Sequence, residues 1–245
     1  GIGNETDIVT KEMYSWLDQG GKKLTLRPEL TAPVVRSYIQ HNLQSLGPLT
    51  KLYYFDSLFR RERPQAGRQR QFHQYGIEAL GSEFPEQDAE VIEIAYNIYK
   101  QFNIKELAVK INTIGSSSIR ENYLKILKKS LSKYKSYLSP ISQKRLDYNA
   151  LRIFDSKNED DKKIVEDNAP FIFDHISDED LNHFNQLKNI LDKVNIPYFH
   201  DKKLVRGLDY YTRTTFEITS KNLGAQDALC GGGRYDKLVN QLGGK

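Results

Sequence analysis

Two runs rich in aromatic and β-branched residues, 51–60 (KLYYFDSLFR) and 70–80 (RQFHQYGIEAL), stand on either side of the polar stretch RERPQAGR. Runs of this composition read as strands. A polar connection holding Pro64 and Gly67 reads as the long tip of an antiparallel hairpin. Along the return strand a period of two sets Phe72, Gln74, Gly76 and Glu78 on one face and His73, Tyr75, Ile77 and Ala79 on the other. An aromatic, an amide, a gap and a carboxylate in line make a poor core. They make a reasonable ligand face: Phe72 offers a surface to a heterocycle, Gly76 leaves room, and Gln74 and Glu78 supply hydrogen bonds and charge. The competing reading is the exposed polar face of an edge strand.

The hairpin tip gathers Arg60, Arg61, Arg63 and Arg68 around Glu62. Guanidinium forks suit bidentate contact with phosphate oxygens, and one loop can hold several over a polyphosphate. A solvated basic loop explains the same residues more plainly. Upstream, residues 22–27 (KKLTLR) read as a short strand, Pro28 as a turn, and Thr31 as the cap of a helix through Val34, Val35, Tyr38 and Ile39. Glu29 and Thr31 thus aim an acceptor pair at a helix start, though a capping Thr beside a surface Glu accounts for them equally well.

Downstream, residues 86–102 set Ala89, Ile92, Tyr96, Tyr99 and Phe102 on one helical face, and 107–113 (LAVKINT) read as a strand. Composition then shifts. Residues 120–145 hold eight Lys/Arg and one acid on a helical pattern of Tyr123, Leu127, Leu131, Tyr134 and Leu138, whereas 155–180 hold ten acids and three Lys. Ser177 with Asp180 resembles a capping box, opening a helix on Leu181, Phe184, Leu187, Leu191 and Val194. Strand character returns at 203, GGGRY at 231–235 reads as a glycine-rich turn, and residues 116–198 read as a helical insertion in one mixed sheet. In RGLDYY, at 206–211, Gly207 breaks the strand and aims Arg206 away from its neighbours, while Tyr210 and Tyr211 read as core tyrosines when taken alone.

Bulk properties narrow the class. A chain of 245 residues at 38% hydrophobic can bury a sizeable core, and a net charge of +4 permits a polyanionic partner without requiring one. The single cysteine, Cys230, excludes a disulfide framework and a cysteine zinc site. No apolar run approaches the roughly 18–20 residues of a membrane helix, and no signal-peptide pattern opens the chain, so a cytoplasmic, non-membrane protein is expected. The five histidines (41, 73, 175, 183, 200) lack metal-ligand spacing, and His175 and His183 read as surface residues; any metal ligand stays unknown at this level. Neither a P-loop nor GxGxxG is present.

Three long segments together resemble one family. FRRERPQAGRQRQFHQYGIEALG (59–81) resembles motif 2 of the class II aminoacyl-tRNA synthetases in its histidyl-tRNA synthetase form. TLRPELTAPVVR (25–36) and LVRGLDYYTRTTFE (204–217) resemble that family's two histidine-binding segments. INTIGSSSIRENY (111–123), FDSKN (154–158) and GGGRYDKLVNQLGG (231–244) align as well. The resemblance implies an α+β fold: a class II antiparallel sheet flanked by helices, with a catalytic core at 1–115 and 199–245 and a helical insertion domain at 116–198. Motif 1, a dimer-interface helix and strand, and motif 3, with its ATP-contacting arginine, are expected to lie outside residues 1–245.

What the resemblance implies chemically is a ligase that joins histidine to ATP as histidyl-adenylate and transfers it to the 3′ end of tRNA(His), with Mg²⁺ across the phosphates. The full-length protein is expected to be a homodimer. Matched by position, Arg60 holds the α-phosphate, Glu62 and Arg68 lie on the nucleotide side, and Phe72 lies beneath adenine. Glu29, Thr31 and Gln74 match the α-ammonium group of contacts; Glu78 and Tyr211 match the imidazole pair, with Tyr210 beside them; Arg206 matches a second arginine on the α-phosphate. Related synthetase-like proteins instead regulate histidine biosynthesis or sense uncharged tRNA. Those would be expected to lose part of the catalytic set, whereas Glu29, Arg60, Gln74, Glu78, Arg206 and Tyr211 are all present. A plain RNA-binding module using the basic 120–145 face is the third alternative.

Overall fold

The expected hairpin forms between β3 (Thr50–Phe59) and β4 (Gln71–Leu80). Its antiparallel register runs unbroken from Thr50↔Leu80 to Phe59↔Gln71, and Arg60 N–H donating to Arg70 O extends it at 2.9 Å. This is a computed structural model, and it describes residues 12–64, 67–206, 210–221 and 228–244. These form two compact units, the first within Gly1–Glu83, Gly207–Tyr210 and Asp236–Lys245, the second within Phe84–Arg206 and Tyr211–Tyr235.

The first unit adds β1 (Ser15–Leu17) and β2 (Lys23–Thr25), paired antiparallel, then α1 (Thr31–Gln40) and the short α7 (Leu238–Gln241). The turn joining β1 to β2 is tied by Asp18, whose Oδ1 accepts from the backbone of Gly20 at 2.9 Å and Lys22 at 2.8 Å. Thr31 does not cap α1. It is the first helical residue, Leu30 holds the cap position without a side-chain bond, and Glu29 Oε2 accepts from Ala32 N–H at 3.1 Å. A carboxylate satisfies a helix N-terminal donor better than a hydroxyl does, which leaves the Thr31 hydroxyl free to point elsewhere.

In the second unit, β5 (Leu107–Thr113), β6 (Tyr198–His200), β7 (Thr212–Ser220) and β8 (Ala228–Arg234) form a sheet in the order β6-β5-β7-β8. Strand β5 runs parallel to β6 and antiparallel to β7, and β8 runs antiparallel to β7. The strands flanking the helical block therefore do join in one mixed sheet. Among the described residues, β3 and β4 form a separate two-stranded sheet. Helix α2 (Pro85–Gln101) starts well, with proline in its first turn and Glu86 and Asp88 at its positive end. It buries Ala89, Ile92 and Tyr99 against Val109, Ile111, Phe216, Ile218 and, from α6 (Asp178–Lys193), Phe184, Leu187 and Leu191. The buried stripe includes Ala95, and Phe102, expected on it, lies past the helix end and is 72% exposed.

The basic stretch buries Tyr123, Leu127, Leu131 and Leu138 as its pattern suggests, but in separate elements. Helix α3 (Ser117–Ser132) stops, and α4 (Pro140–Tyr148) starts afresh where Ser139 caps and Pro140 fixes the first turn. The acidic stretch hides α5 (Glu159–Asn168), capped by Asn158, whose side chain accepts from Asp161 N–H at 3.0 Å. In α6 (Asp178–Lys193) Ser177 caps as expected, but Leu181 and Val194 are exposed. His183 is not a surface residue: it lies one position before Phe184 on the inward face, 6% exposed, with Nε2 2.8 Å from Asp88 Oδ2. Nor is GGGRY a turn. Gly231, Gly232, Gly233 and Arg234 lie in β8, each glycine where another group crowds the strand. No helix among the described residues is long and apolar enough to cross a membrane.

One side chain organises α4 and α5. Buried Asp161 accepts from Ser139 N–H (2.7 Å) and from the hydroxyls of Ser139 (2.6 Å), Ser142 (2.6 Å) and Ser156 (2.7 Å). Burial alone would raise its pKa, but these donors outweigh it and hold the carboxyl below its ordinary value. Its contribution to stability should be complete above the unfolded pKa of about 3.9 and fade as pH falls through the lower native value. Asp161→Ala strands several buried donors, so denaturant unfolding at pH 7 should show a loss of about 2–4 kcal/mol. A loss under about 0.5 kcal/mol would remove Asp161 from this role.

Candidate active site

In the first unit the predicted ligand face of β4 is the enclosed one. Phe72, Gln74 and Gly76 are half-buried and Glu78 is buried, while His73 and Tyr75 are exposed. The edge-strand alternative fails, because the polar side chains point inward. Glu29 and Glu78 are both almost fully covered. Thr31 Oγ1 donates to Glu78 Oε1 at 2.7 Å, so the start of α1 is tied to the end of β4. Burial raises the Glu29 pKa, partly offset by its backbone hydrogen bonds and by the Arg60 cation.

Gly76 does not leave room for a ligand, as its sequence position suggested. A Cβ there would meet Tyr54 Cζ at 2.2 Å, so the space is taken by the Tyr54 ring from the paired position on β3. The Tyr54 hydroxyl accepts from Gln74 Nε2 at 3.2 Å, and burial, then the nearby Glu78 carboxylate, push its pKa far up. Tyr54 was missed in the sequence, where it reads as one aromatic among several. The hairpin register alone puts it opposite Gly76.

At the tip, Arg60 Nε donates to Pro28 O at 2.8 Å and its guanidinium lies 5.1 Å from the Phe72 ring centroid, a cation–π contact. That bond ties the first residue of the tip to the turn preceding Glu29. Arg68 Nε is 3.3 Å from Glu62 Oε2, yet that oxygen is buried without a hydrogen bond.

In the second unit Arg206 NH1 pairs with Glu217 Oε2 at 2.8 Å, and Glu217 was not singled out from the sequence. Arg206 Nε is buried without a hydrogen bond. The guanidinium lies so close over β8 that a Cβ on Gly231 would meet Arg206 Cζ at 2.3 Å. Tyr211 is buried, its carbonyl accepts from Arg120 NH1 at 2.8 Å, and its ring packs where a side chain on Gly233 would be. Tyr210, which belongs to the first unit, is buried there. Gly207, expected to aim Arg206, lies outside the described residues. Burial pushes the Cys230 thiol up to about 11, which leaves it a poor nucleophile at neutral pH. Buried carboxylates and anchored guanidiniums suit the binding and polarising of charged substrates.

A model of the family "Histidyl-tRNA synthetase" matches residues 3–245. The chain belongs to the histidyl-tRNA synthetase family. It is 49% identical over 243 residues to a "Histidine--tRNA ligase" of Protochlamydia amoebophila, covering 99% of this chain and 57% of that protein. It is 51% identical over 244 residues to one of Microcystis aeruginosa, covering 100% of this chain and 57% of that protein. Among solved structures, an apo histidyl-tRNA synthetase from S. aureus is 39% identical with a TM-score of 0.75, over 95% of this chain and 56% of that one. The chain thus spans a little over half the length of these synthetases. The neighbouring fold is the class II synthetase fold, as the resemblance implied.

Packing across the hairpin makes a direct prediction. Gly76→Ala must displace the Tyr54 ring, and overpacking of this kind costs about 1–3 kcal/mol. The unfolding midpoint should fall accordingly, and Gly76→Ala combined with Tyr54→Ala should recover part of the loss. An additive double mutant would mean that the two residues do not share that space.

Proposed function

We propose that the chain is the catalytic core of a histidyl-tRNA synthetase, activating histidine with ATP and passing the histidyl group to the 3′ end of tRNA(His). The observation that carries this reading is Glu78. It is a buried carboxylate held by Thr31 on the same strand face as Gln74, and it suits an imidazole N–H donor. Glu29, Thr31 and Gln74 supply acceptors for an α-ammonium, and Tyr210 and Tyr211 supply aromatic surface for the imidazole. A pocket of this kind rejects analogues that lack the donor, since they leave a charge buried and unpaired.

Activation proceeds by attack of a histidine carboxylate oxygen on the α-phosphorus. The new P–O bond forms as the bond to the bridging oxygen breaks, and pyrophosphate carries away the electron pair. Charge gathers on the α-phosphate oxygens, and fixed guanidiniums offset it without covalent help. Arg60, anchored by Pro28 O, holds that phosphate. Arg206, anchored by Glu217, keeps an Nε–H donor uncommitted for a developing oxyanion. Glu62 and Arg68, ion-paired with each other, serve the nucleotide side, and Phe72 supplies a stacking surface.

Magnesium is commonly held by one or two carboxylates together with phosphate oxygens. Among the described residues, no three His, Cys, Asp or Glu side chains cluster, and we propose that the metal would come with the phosphates of ATP, held by at most one or two carboxylates. We further propose that residues 116–198 act as an insertion domain within the core, and that the protein works in the cytoplasm as a homodimer. A regulatory, non-catalytic role would not require the paired arginines.

Histidine-dependent ATP–pyrophosphate exchange tests the reading. Glu78→Gln should raise the histidine KM about ten- to a hundredfold and change the ATP KM little. An unchanged histidine KM would sink the Glu78 assignment. Arg206→Ala should slow single-turnover adenylation by about 10²–10³ while histidine binding stays nearly intact. Collapse of histidine affinity with an unchanged rate would make Arg206 a substrate-binding residue instead.

A further inference from the structure

Two hydrogen bonds in the first unit lie on neighbouring side chains. Gln74 Nε2 donates to the Tyr54 hydroxyl at 3.2 Å, and Thr31 Oγ1 donates to Glu78 Oε1 at 2.7 Å. The Tyr54 hydroxyl lies within the field of the Glu78 carboxylate. A hydroxyl has one proton to give, and a nearby negative charge draws that proton toward itself, leaving the oxygen lone pairs to accept on the other side. The group of Gln74 that faces Tyr54 is accordingly its NH₂.

We infer that Tyr54 is a positioning residue: it relays the charge of Glu78 to Gln74 and fixes the amide with its carbonyl oxygen turned to the ligand. A free glutamine presents either end at nearly equal cost, because its oxygen and nitrogen are alike in size. Turned this way Gln74 accepts from an ammonium; turned the other way it would aim two N–H donors at one. Selectivity for the α-amino group thus depends on a phenol that lies across Gly76. This inference rests on the histidine reading above and adds a direction to it.

Titration calorimetry on the full 245-residue chain tests it, with histidine and with 3-(imidazol-4-yl)propionate, which lacks the α-amino group. Tyr54→Phe keeps the ring over Gly76 and removes only the hydroxyl, so folding should survive. Histidine should bind about tenfold more weakly to this variant, and the des-amino analogue should bind within about twofold of the parent. In a Gln74→Ala background, Tyr54→Phe should have no further effect on histidine, because there is no amide left to orient. Equal weakening of both ligands would reduce Tyr54 to a packing residue and overturn the inference. So would an unchanged histidine affinity, or additivity in the double variant. If the unsubstituted chain bound neither ligand, the histidine reading itself would fall, a result visible before any substitution is made.

Discussion

The register of the β3–β4 hairpin is the constraint on which the first unit depends. Strand side chains alternate, so a slip of one residue would carry Phe72, Gln74 and Glu78 to the opposite face and replace them with His73, Tyr75 and Ala79. Hydrophobicity alone guards poorly against that slip, because the outer face is aromatic too: Tyr53 is 85% exposed and Phe55 stacks on His73 at 5.7 Å. Shape guards better. The Tyr54 ring fits across Gly76, and across neither Tyr75 nor Ile77 would it find such a gap. The Thr31–Glu78 bond adds a second lock from outside the hairpin.

The second unit relies on a different device, a buried carboxylate shared among elements. Asp88, in the first turn of α2, accepts from His183 of α6 (2.8 Å), Thr214 of β7 (2.6 Å) and Arg234 of β8 (2.8 Å). Each of these groups would be costly to bury alone, and together they satisfy one another. Asp180 plays a similar part, accepting from Ser116 N–H at 3.0 Å and Arg213 Nε at 2.9 Å. Apolar packing brings α2 and α6 to the sheet, and these carboxylates fix how they sit on it.

How much of this was legible in the sequence depends on the range of the interaction concerned. The hairpin, β5, the cap at Ser177 and the inward face of β4 follow from local periodicity and composition, and they appear where expected. Errors fell where a distant partner decides. Thr31 looked like a cap because nothing nearby revealed Glu78, 47 residues away. His183 looked exposed because Asp88, its partner, lies 95 residues off. GGGRY looked like a turn because glycine usually signals one, whereas here the glycines admit Arg206, Phe216 and Tyr211 against a strand. The candidate site residues come mainly from the likeness of whole segments to a family, and the geometry adds Tyr54 and Glu217 as candidates, which that likeness did not bring forward.

The solitary cysteine has a practical side. Its thiol, pushed up to about 11 by burial, stays protonated at neutral pH and competes weakly for maleimides or disulfide reagents. A cysteine introduced on the surface would thus be the dominant reactive thiol of the whole chain. Pairs of dyes or spin labels, one on each compact unit, could be attached without first removing the native residue. Distances between the units, and any change in them on adding histidine or ATP, would then be measurable in an otherwise unaltered protein.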